Sequence, residues 1–333
     1  MNYIGSKNKL SSFIVSTVQE IVGSNLKNLI FCDLFAGTGI VGRTFKPLVK
    51  QVISNDVEFY SYILNRNYIG NHSSLDYDDY IKQLNDCSPK KGFIFENYGE
   101  LGTAGRLYFS KENAQKIDAI RIQIEAWFTA SVINEDMYYF LLASLLESAD
   151  KVANTASVYG AYLKKIKVSA RKKLVIAPAT YNLNEGQFNV VFQKDANELI
   201  QEIKGDILYL DPPYNARQYG ANYHLLTTIA KYDTFVPKGK TGLRDYYKSD
   251  YCSKNKVLNT FEVLIKEANF KYIFLSYNNE GLMSQKDVEA IMKRYGDYTV
   301  ATTKYQRFKA DKTESRNHKA NSTTEYLHIL KKK

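Results

Sequence analysis

Gly205-Asp206-Ile207-Leu208-Tyr209-Leu210-Asp211-Pro212-Pro213-Tyr214 runs a short apolar strand directly into a rigid corner. Neither proline can donate a ladder hydrogen bond, and each fixes its own backbone angle, so the strand ends at Asp211. A carboxylate, a stiff turn and an aromatic ring are thereby delivered together at a strand's carboxyl end. In an open α/β sheet, that edge is where ligands bind.

Three more strand ends carry the same kind of group. Leu29–Phe35 reads as a buried strand and passes into Ala36-Gly37-Thr38-Gly39-Ile40-Val41-Gly42, a glycine turn that opens a helix. Glycines there let backbone approach a ligand closely and present amides to it. The strand 51–54 ends at Asn55-Asp56, and an acidic residue at about that distance from a glycine turn is placed for ribose hydroxyls. The strand 188–195 ends in Asp195, which could equally cap a short helix over 196–204. Carboxylates converging on one edge repel unless a ligand or hydrogen bonds satisfy them.

Periodicity further predicts helices over 10–22, 116–148, 221–231, 257–268 and 285–295, and strands over 272–277, 298–305 and 325–330. The last two strands, joined by a polar loop at 309–322, read as an antiparallel hairpin at the sheet edge. Strand–helix alternation fails over 58–186, which reads as a largely helical insert. The fold class is therefore α/β, a mostly parallel sheet of about seven strands. The catalytic domain is expected over 1–57 and 187–333, and the insert over 58–186.

The 333 residues carry 45 Lys+Arg against 35 Asp+Glu, a net charge of +10, which favours a polyanionic partner. The most basic stretch is Tyr159 to Lys173, with Tyr159, Lys164, Lys165, Arg171, Lys172 and Lys173 as candidate contacts to nucleic acid. Arg217, Tyr219 and Arg244, in the loops after the Asp-Pro-Pro-Tyr corner, are further candidates. A solvated lysine-rich face would look the same. Three scattered cysteines and four scattered histidines offer neither a disulfide framework nor a metal site. No apolar run approaches the roughly 20 residues of a membrane span, and the amino-terminal stretch lacks a signal peptide's apolar core. A cytoplasmic protein without a membrane partner is expected.

Taken in order, Tyr3-Ile4-Gly5-Ser6-Lys7, Asp33-Leu34-Phe35-Ala36-Gly37-Thr38-Gly39, Asp56 and Asp211-Pro212-Pro213-Tyr214 resemble the motif series of the Dam-like, alpha-group DNA adenine methyltransferases. The resemblance spans nearly the whole chain and implies a Rossmann-like class I sheet with an inserted target-recognition domain. It implies S-adenosylmethionine as cofactor and double-stranded DNA as substrate, with a cognate restriction endonuclease as a partner in restriction–modification systems. By position, Tyr3, Ile4, Gly5 and Lys7 would line the cofactor's methionine side, with Asp33, Phe35, Gly37 and Gly39 around its backbone. Asp56 would hold the ribose, and Asp195 and Ala196 the adenine ring. Asp211, Pro212, Pro213 and Tyr214 would hold the target base.

That chemistry suits these residue types. An exocyclic adenine amine is a poor nucleophile because its lone pair is delocalised into the ring. Two acceptors on its N–H bonds, the Asp211 carboxylate and the Pro212 carbonyl, favour a pyramidal nitrogen whose lone pair faces the methyl donor. Other readings are methylation of RNA or of another amine or amide, and a non-catalytic DNA-binding subunit. The amide enzymes usually carry Asn in place of Asp211, and the intact carboxylates and glycines weigh against loss of catalysis.

Overall fold

The computed structural model describes residues 7–183, 186–306 and 322–333. Seven strands form one sheet: β1 (Ile30–Asp33), β2 (Gln51–Asn55), β3 (Val190–Phe192), β4 (Lys204–Leu210), β5 (Asn269–Asn278), β6 (Gly296–Gln306) and β7 (Ser322–Lys332), in the order β3-β2-β1-β4-β5-β7-β6. The first five are mutually parallel, while β7 inserts antiparallel between β5 and β6. The expected mostly parallel seven-stranded sheet with an antiparallel edge hairpin is therefore present. Successive strands are added to one side from β1 to β3 and to the other from β4 to β5, which makes the carboxyl ends of the parallel neighbours β1 and β4 the topological switch point.

The residues facing each side explain the layering. Leu208 and Leu210 of β4, with Ile273 and Leu275 of β5, pack against Phe261, Leu264 and Ile265 of the helix Val257–Glu267 and Met292 of the helix Gln285–Lys293, all fully or almost fully buried. On the other side Phe31 stacks on Phe45 at 4.0 Å and on Tyr209 at 6.4 Å. Alternation along β4 thus sends its leucines to one layer and Tyr209 to the other. Burial rises along the strand, from exposed Lys204 to buried Leu210, so it ends in the protein interior.

By compactness the chain divides into two units. One comprises the described residues of Gly5–Asn65, Glu185–Gln218 and Tyr247–Lys333 and holds the sheet. The other gathers the described residues of Arg66–Asn184 together with Tyr219–Tyr246. It is built mainly on the helices Lys111–Thr129, Glu135–Lys151 and His224–Lys231. The single helix expected over 116–148 is in fact two. Ser131 takes a positive φ of 56°, and the Asn134 side chain caps the second helix by accepting from Met137 N at 2.9 Å. The apolar periodicity runs through this break because both helices bury a face. The helix expected over 221–231 likewise starts at His224, after a separate turn at Tyr219–Asn222. The loop expected at 309–322 lies almost wholly outside the described residues.

Two buried asparagines shape the irregular basic segment of the helical unit. Asn154 Nδ2 donates to the carbonyls of Leu107 and Leu163, and its Oδ1 accepts from Lys167 N. Asn113 Nδ2 donates to the carbonyls of Ala170 and Lys172, and its Oδ1 accepts from Leu174 N at 2.8 Å. With no ladder to join, this backbone depends on side-chain partners. Asn113→Ala leaves three main-chain groups without them and is expected to cost about 2–4 kcal/mol, read as a fall in the denaturant midpoint. A loss under about 0.5 kcal/mol would contradict it.

Candidate active site

Asp33, Asp56, Asp195 and Asp211 all stand at the carboxyl ends of adjacent parallel strands, at or just past the last residues of β1, β2, β3 and β4. Hydrogen bonding fixes this edge. Asn55, buried at the end of β2, donates to the carbonyls of Leu34 and Lys194 at 3.1 Å each and accepts from Lys194 N at 3.0 Å. One side chain thus ties three strand ends together. As a mere neighbour of Asp56 in the sequence, Asn55 gives no sign of that role.

The glycine turn is held from behind. Ser61 Oγ and Asn65 Nδ2 both donate to the Gly37 carbonyl, and Asn65 Oδ1 accepts from Ser54 Oγ. Gly37 and Gly39 have φ of 54° and 75°. A Cβ at Gly39 would fall 2.6 Å from Asn65 Oδ1, so both backbone angle and space require glycine there. Asp56 Oδ2 accepts from Gly37 N at 2.8 Å and its Oδ1 from Glu58 N at 2.9 Å. Burial nevertheless lifts its carboxyl to about 6.

Asp33 is more exceptional. Its Oδ2 accepts from Gly42 N at 3.0 Å, while Oδ1 is buried with no hydrogen-bond partner among the described residues. Burial first, then the charges of Asp211 and Asp56, push its carboxyl up to about 8. A buried acceptor of this kind beside a glycine turn fits a ligand that brings a cationic donor. Phe35 lies edge-on to Tyr251 at 5.1 Å, and Tyr251 donates to Asn197 Oδ1. Asp195 caps the helix Ala196–Leu199 by accepting from Asn197 N and Glu198 N, and its Oδ2 accepts from Tyr247 OH. Ala196 is buried beneath it.

At the Asp-Pro-Pro-Tyr corner, Leu282 N donates to the Tyr214 carbonyl at 3.0 Å, pinning the turn. Asp211 Oδ1 lies 3.1 Å from Lys7 Nζ, and Lys7 Nζ also lies 2.8 Å from Glu325 Oε1. Lys7 is therefore engaged with the corner's own carboxylate, where the family resemblance puts it on the methionine side of a cofactor. Burial opposes its charge, but the two carboxylates hold its pKa well above the usual lysine range. Asp211 is lifted to about 6 by burial, which outweighs the pull of Lys7. Tyr3, Ile4 and Gly5 lie outside the described residues.

A family model, the D12 class N6 adenine-specific DNA methyltransferase, matches residues 3–291. The chain belongs to this family. It is an adenine-specific DNA methyltransferase, and its methyl donor is S-adenosylmethionine. The methyltransferase is 61% identical over 333 residues to the Type II methyltransferase M.NlaIII of Neisseria lactamica, covering all of this chain and 99% of that one. It is 39% identical to M.CviAII of Paramecium bursaria Chlorella virus 1, over 93% of each chain. Against M.FokI of Planomicrobium okeanokoites, also 39% identical, all of this chain matches and spans only 53% of the longer protein.

The residues expected to touch DNA sort unevenly. Within the helical unit, Lys164, Lys165, Lys172 and Lys173 are exposed. Arg171 is exposed too, but its guanidinium makes a two-pronged pair with Glu100 at 2.9 and 3.1 Å. Arg244 is buried and paired the same way with Asp233 at 2.9 and 2.8 Å. Tyr159 corrects its expectation outright. It is fully buried, with its hydroxyl donating to Asp150, and it packs against Tyr108 and Tyr223, so it offers no ring face for stacking. Tyr219 is half-buried and stacked on buried Tyr223. Arg217, in the sheet-bearing unit, is exposed, and its amide donates to Asn215 Oδ1 in a tight turn. Among the described residues, no helix is long and apolar enough to cross a membrane.

Proposed function

We propose that the methyltransferase acts on an adenine flipped out of duplex DNA, with Asp211, Pro212, Pro213 and Tyr214 as its base-holding corner. The observation that carries this reading is the Asp211 carboxylate, held by Lys7 at 3.1 Å at the topological switch point of the sheet. S-adenosylmethionine supplies an electrophilic methyl group on a sulfonium. The remaining work falls to the chain. Asp211 and the Pro212 carbonyl accept the two N–H bonds of the adenine amine, which turns its lone pair outward and stabilises the charge that builds on nitrogen. The prolines fix those acceptors before the reaction starts. Tyr214 stacks on the base, which compensates part of the few kcal/mol that unstacking costs.

The glycine turn and the strand-end carboxylates form the cofactor side of the site. Asp33 receives the cofactor's cationic end at Oδ1, which has no partner among the described residues, and Asp56 receives the ribose while steadying Gly37. Asp195 and Ala196 border the adenine ring, and Phe35 lies with Asp33 around the methionine backbone. We assign Tyr3, Ile4 and Gly5 to the same side on sequence grounds alone. Lys7 serves the corner rather than the cofactor.

The helical unit, built around the 58–186 insert, serves target recognition, and its exposed lysines make sequence-independent phosphate contacts. Replacing Lys164, Lys165, Lys172 and Lys173 with glutamine is expected to flatten the salt dependence of DNA affinity, by about 0.9 in log–log slope for each phosphate no longer neutralised. An unaltered slope would contradict the assignment. Arg171 and Arg244, each already paired with a carboxylate, should contribute less. The relatives' names place them in type II modification, and a matching restriction endonuclease in the same cell is the natural partner for a cytoplasmic enzyme of this kind. Base-resolved methylation sequencing of DNA from expressing cells tests the reading and identifies the site. N6-methyladenine at one recurrent sequence is the expected result. Methylation of cytosine, or none, would overturn it.

A further inference from the structure

Glu325 lies on β7, beyond the residues that the family model matches, and it is buried. In the sheet it pairs opposite Asn278 at the end of β5 and opposite Thr303 of β6. Its Oε1 accepts from Ser276 Oγ at 2.7 Å and from Lys7 Nζ at 2.8 Å, and the same ammonium lies 3.1 Å from Asp211 Oδ1. Two carboxylates, buried Glu325 and partly exposed Asp211, therefore share one buried ammonium. As a stabilising device this is poor, because desolvating the Lys7 and Glu325 charges costs about as much as the attraction returns. Its position beside the reacting carboxylate indicates a use in the reaction.

We infer that Glu325 is a positioning residue for methyl transfer: it anchors Lys7 from the far side, fixing Asp211 while preventing the ammonium from neutralising that carboxylate alone. This rests on the reading of Asp211 as the acceptor of the adenine amine. With Glu325 present, the Lys7–Glu325 pair is close to neutral and Asp211 keeps a negative charge to offer. Without it, Lys7 belongs wholly to Asp211 and competes with the amine for the same oxygens.

The groups facing Asp211 predict a signature that mere structural support would not give. Lys7 lowers its pKa and Glu325 raises it, while Asp33, Tyr209 and Tyr214 also interact with it electrostatically. Removing the Glu325 charge deletes a repulsion and frees Lys7 for Asp211, so both changes move the Asp211 titration to lower pH.

The experiment measures single-turnover transfer of a labelled methyl group to unmethylated phage DNA, from pH 5 to 8, with the full-length enzyme. Glu325→Gln is expected to lower the plateau rate by about 10- to 100-fold. Its acid limb should move down by about half a pH unit or more. Glu325→Asp keeps the charge, so its limb stays in place while its rate falls by about tenfold. A Glu325→Gln limb at the wild-type pH overturns the inference. If Glu325→Gln does not melt cooperatively, Glu325→Asp decides, and a wild-type rate there overturns it. Asp211→Ala separates the two readings. Wild-type activity in that variant sinks the Asp211 assignment itself, whereas loss of its activity together with an unmoved Glu325→Gln limb sinks the role of Glu325 alone.

Discussion

Alanine at position 211 is expected to reduce methyl transfer by about 10³-fold, because it removes the side-chain acceptor aimed at charge that appears only in the transition state. Cofactor affinity should stay within about threefold, since the glycine turn, Asp33 and Asp56 hold one another without Asp211. Stability should not fall with activity. The Asp211 carboxyl is raised to about 6 in the fold from an ordinary value near 3.8, so the fold disfavours its ionised form. The stability this group contributes is complete below the ordinary value and is lost as pH rises through about 6. At pH 7–8 the wild-type enzyme thus carries an ionisation cost that the alanine variant escapes, and Lys7 keeps its 2.8 Å ion pair with Glu325. An inactive variant that melts at or above the wild-type temperature at pH 7.5 is the expected combination. In the wild type, activity should decline as pH falls through about 6, as the acceptor becomes protonated. A variant that is both inactive and several degrees less stable would instead mean that Asp211 holds the corner together.

What can be read from the sequence follows the range of the interactions involved. The corner at Asp211 and the glycine turn at Gly37 are local, each set by residues a few positions apart whose backbone limits are visible in the residue types themselves. The alternation of strands and helices is equally local, whereas the switch point depends on the strand order, which pairs segments far apart in the chain. Glu325 is unreadable because its partner Lys7 lies 318 positions away, and no periodicity links a terminal strand to the amino-terminal motif. Asn55 is hidden differently, since its three bonds go to backbone groups, which carry no residue identity. Tyr159 shows the limit of composition. Two tyrosines stand beside a run of basic residues in that stretch, yet the Tyr159 ring turns inward to Asp150 while Lys164 and Lys165 stay exposed. Neighbours in sequence say what is available, and burial decides what is presented.

Asp33→Asn tests the cofactor side, and its expected effects on binding and on stability run in opposite directions. Asp33 Oδ1 is buried without a partner among the described residues, and the carboxyl is raised to about 8 by burial and by the charges of Asp211 and Asp56. Below the ordinary carboxyl range its contribution to stability is complete, and it is lost as pH rises through about 8. The cofactor-free wild type should therefore lose stability between about pH 4 and 8 and level off above that, and the asparagine variant should not, gaining roughly 1–3 kcal/mol relative to the wild type at the upper end. Binding reverses the balance. A cationic ligand group at Oδ1 favours the carboxylate, so S-adenosylmethionine should release a proton near pH 7. Calorimetry in buffers of different ionisation enthalpy would detect this. Removing one charge-assisted hydrogen bond is expected to weaken cofactor binding by about 10- to 100-fold. S-adenosylhomocysteine identifies which cation is involved, because it keeps the ammonium and lacks the sulfonium. Equal weakening of both ligands points to the ammonium, and weakening of S-adenosylmethionine alone points to the sulfonium. Unchanged affinity for both, with no proton released by the wild type, would leave the lone oxygen of Asp33 without the ligand its burial requires and remove it from the cofactor site.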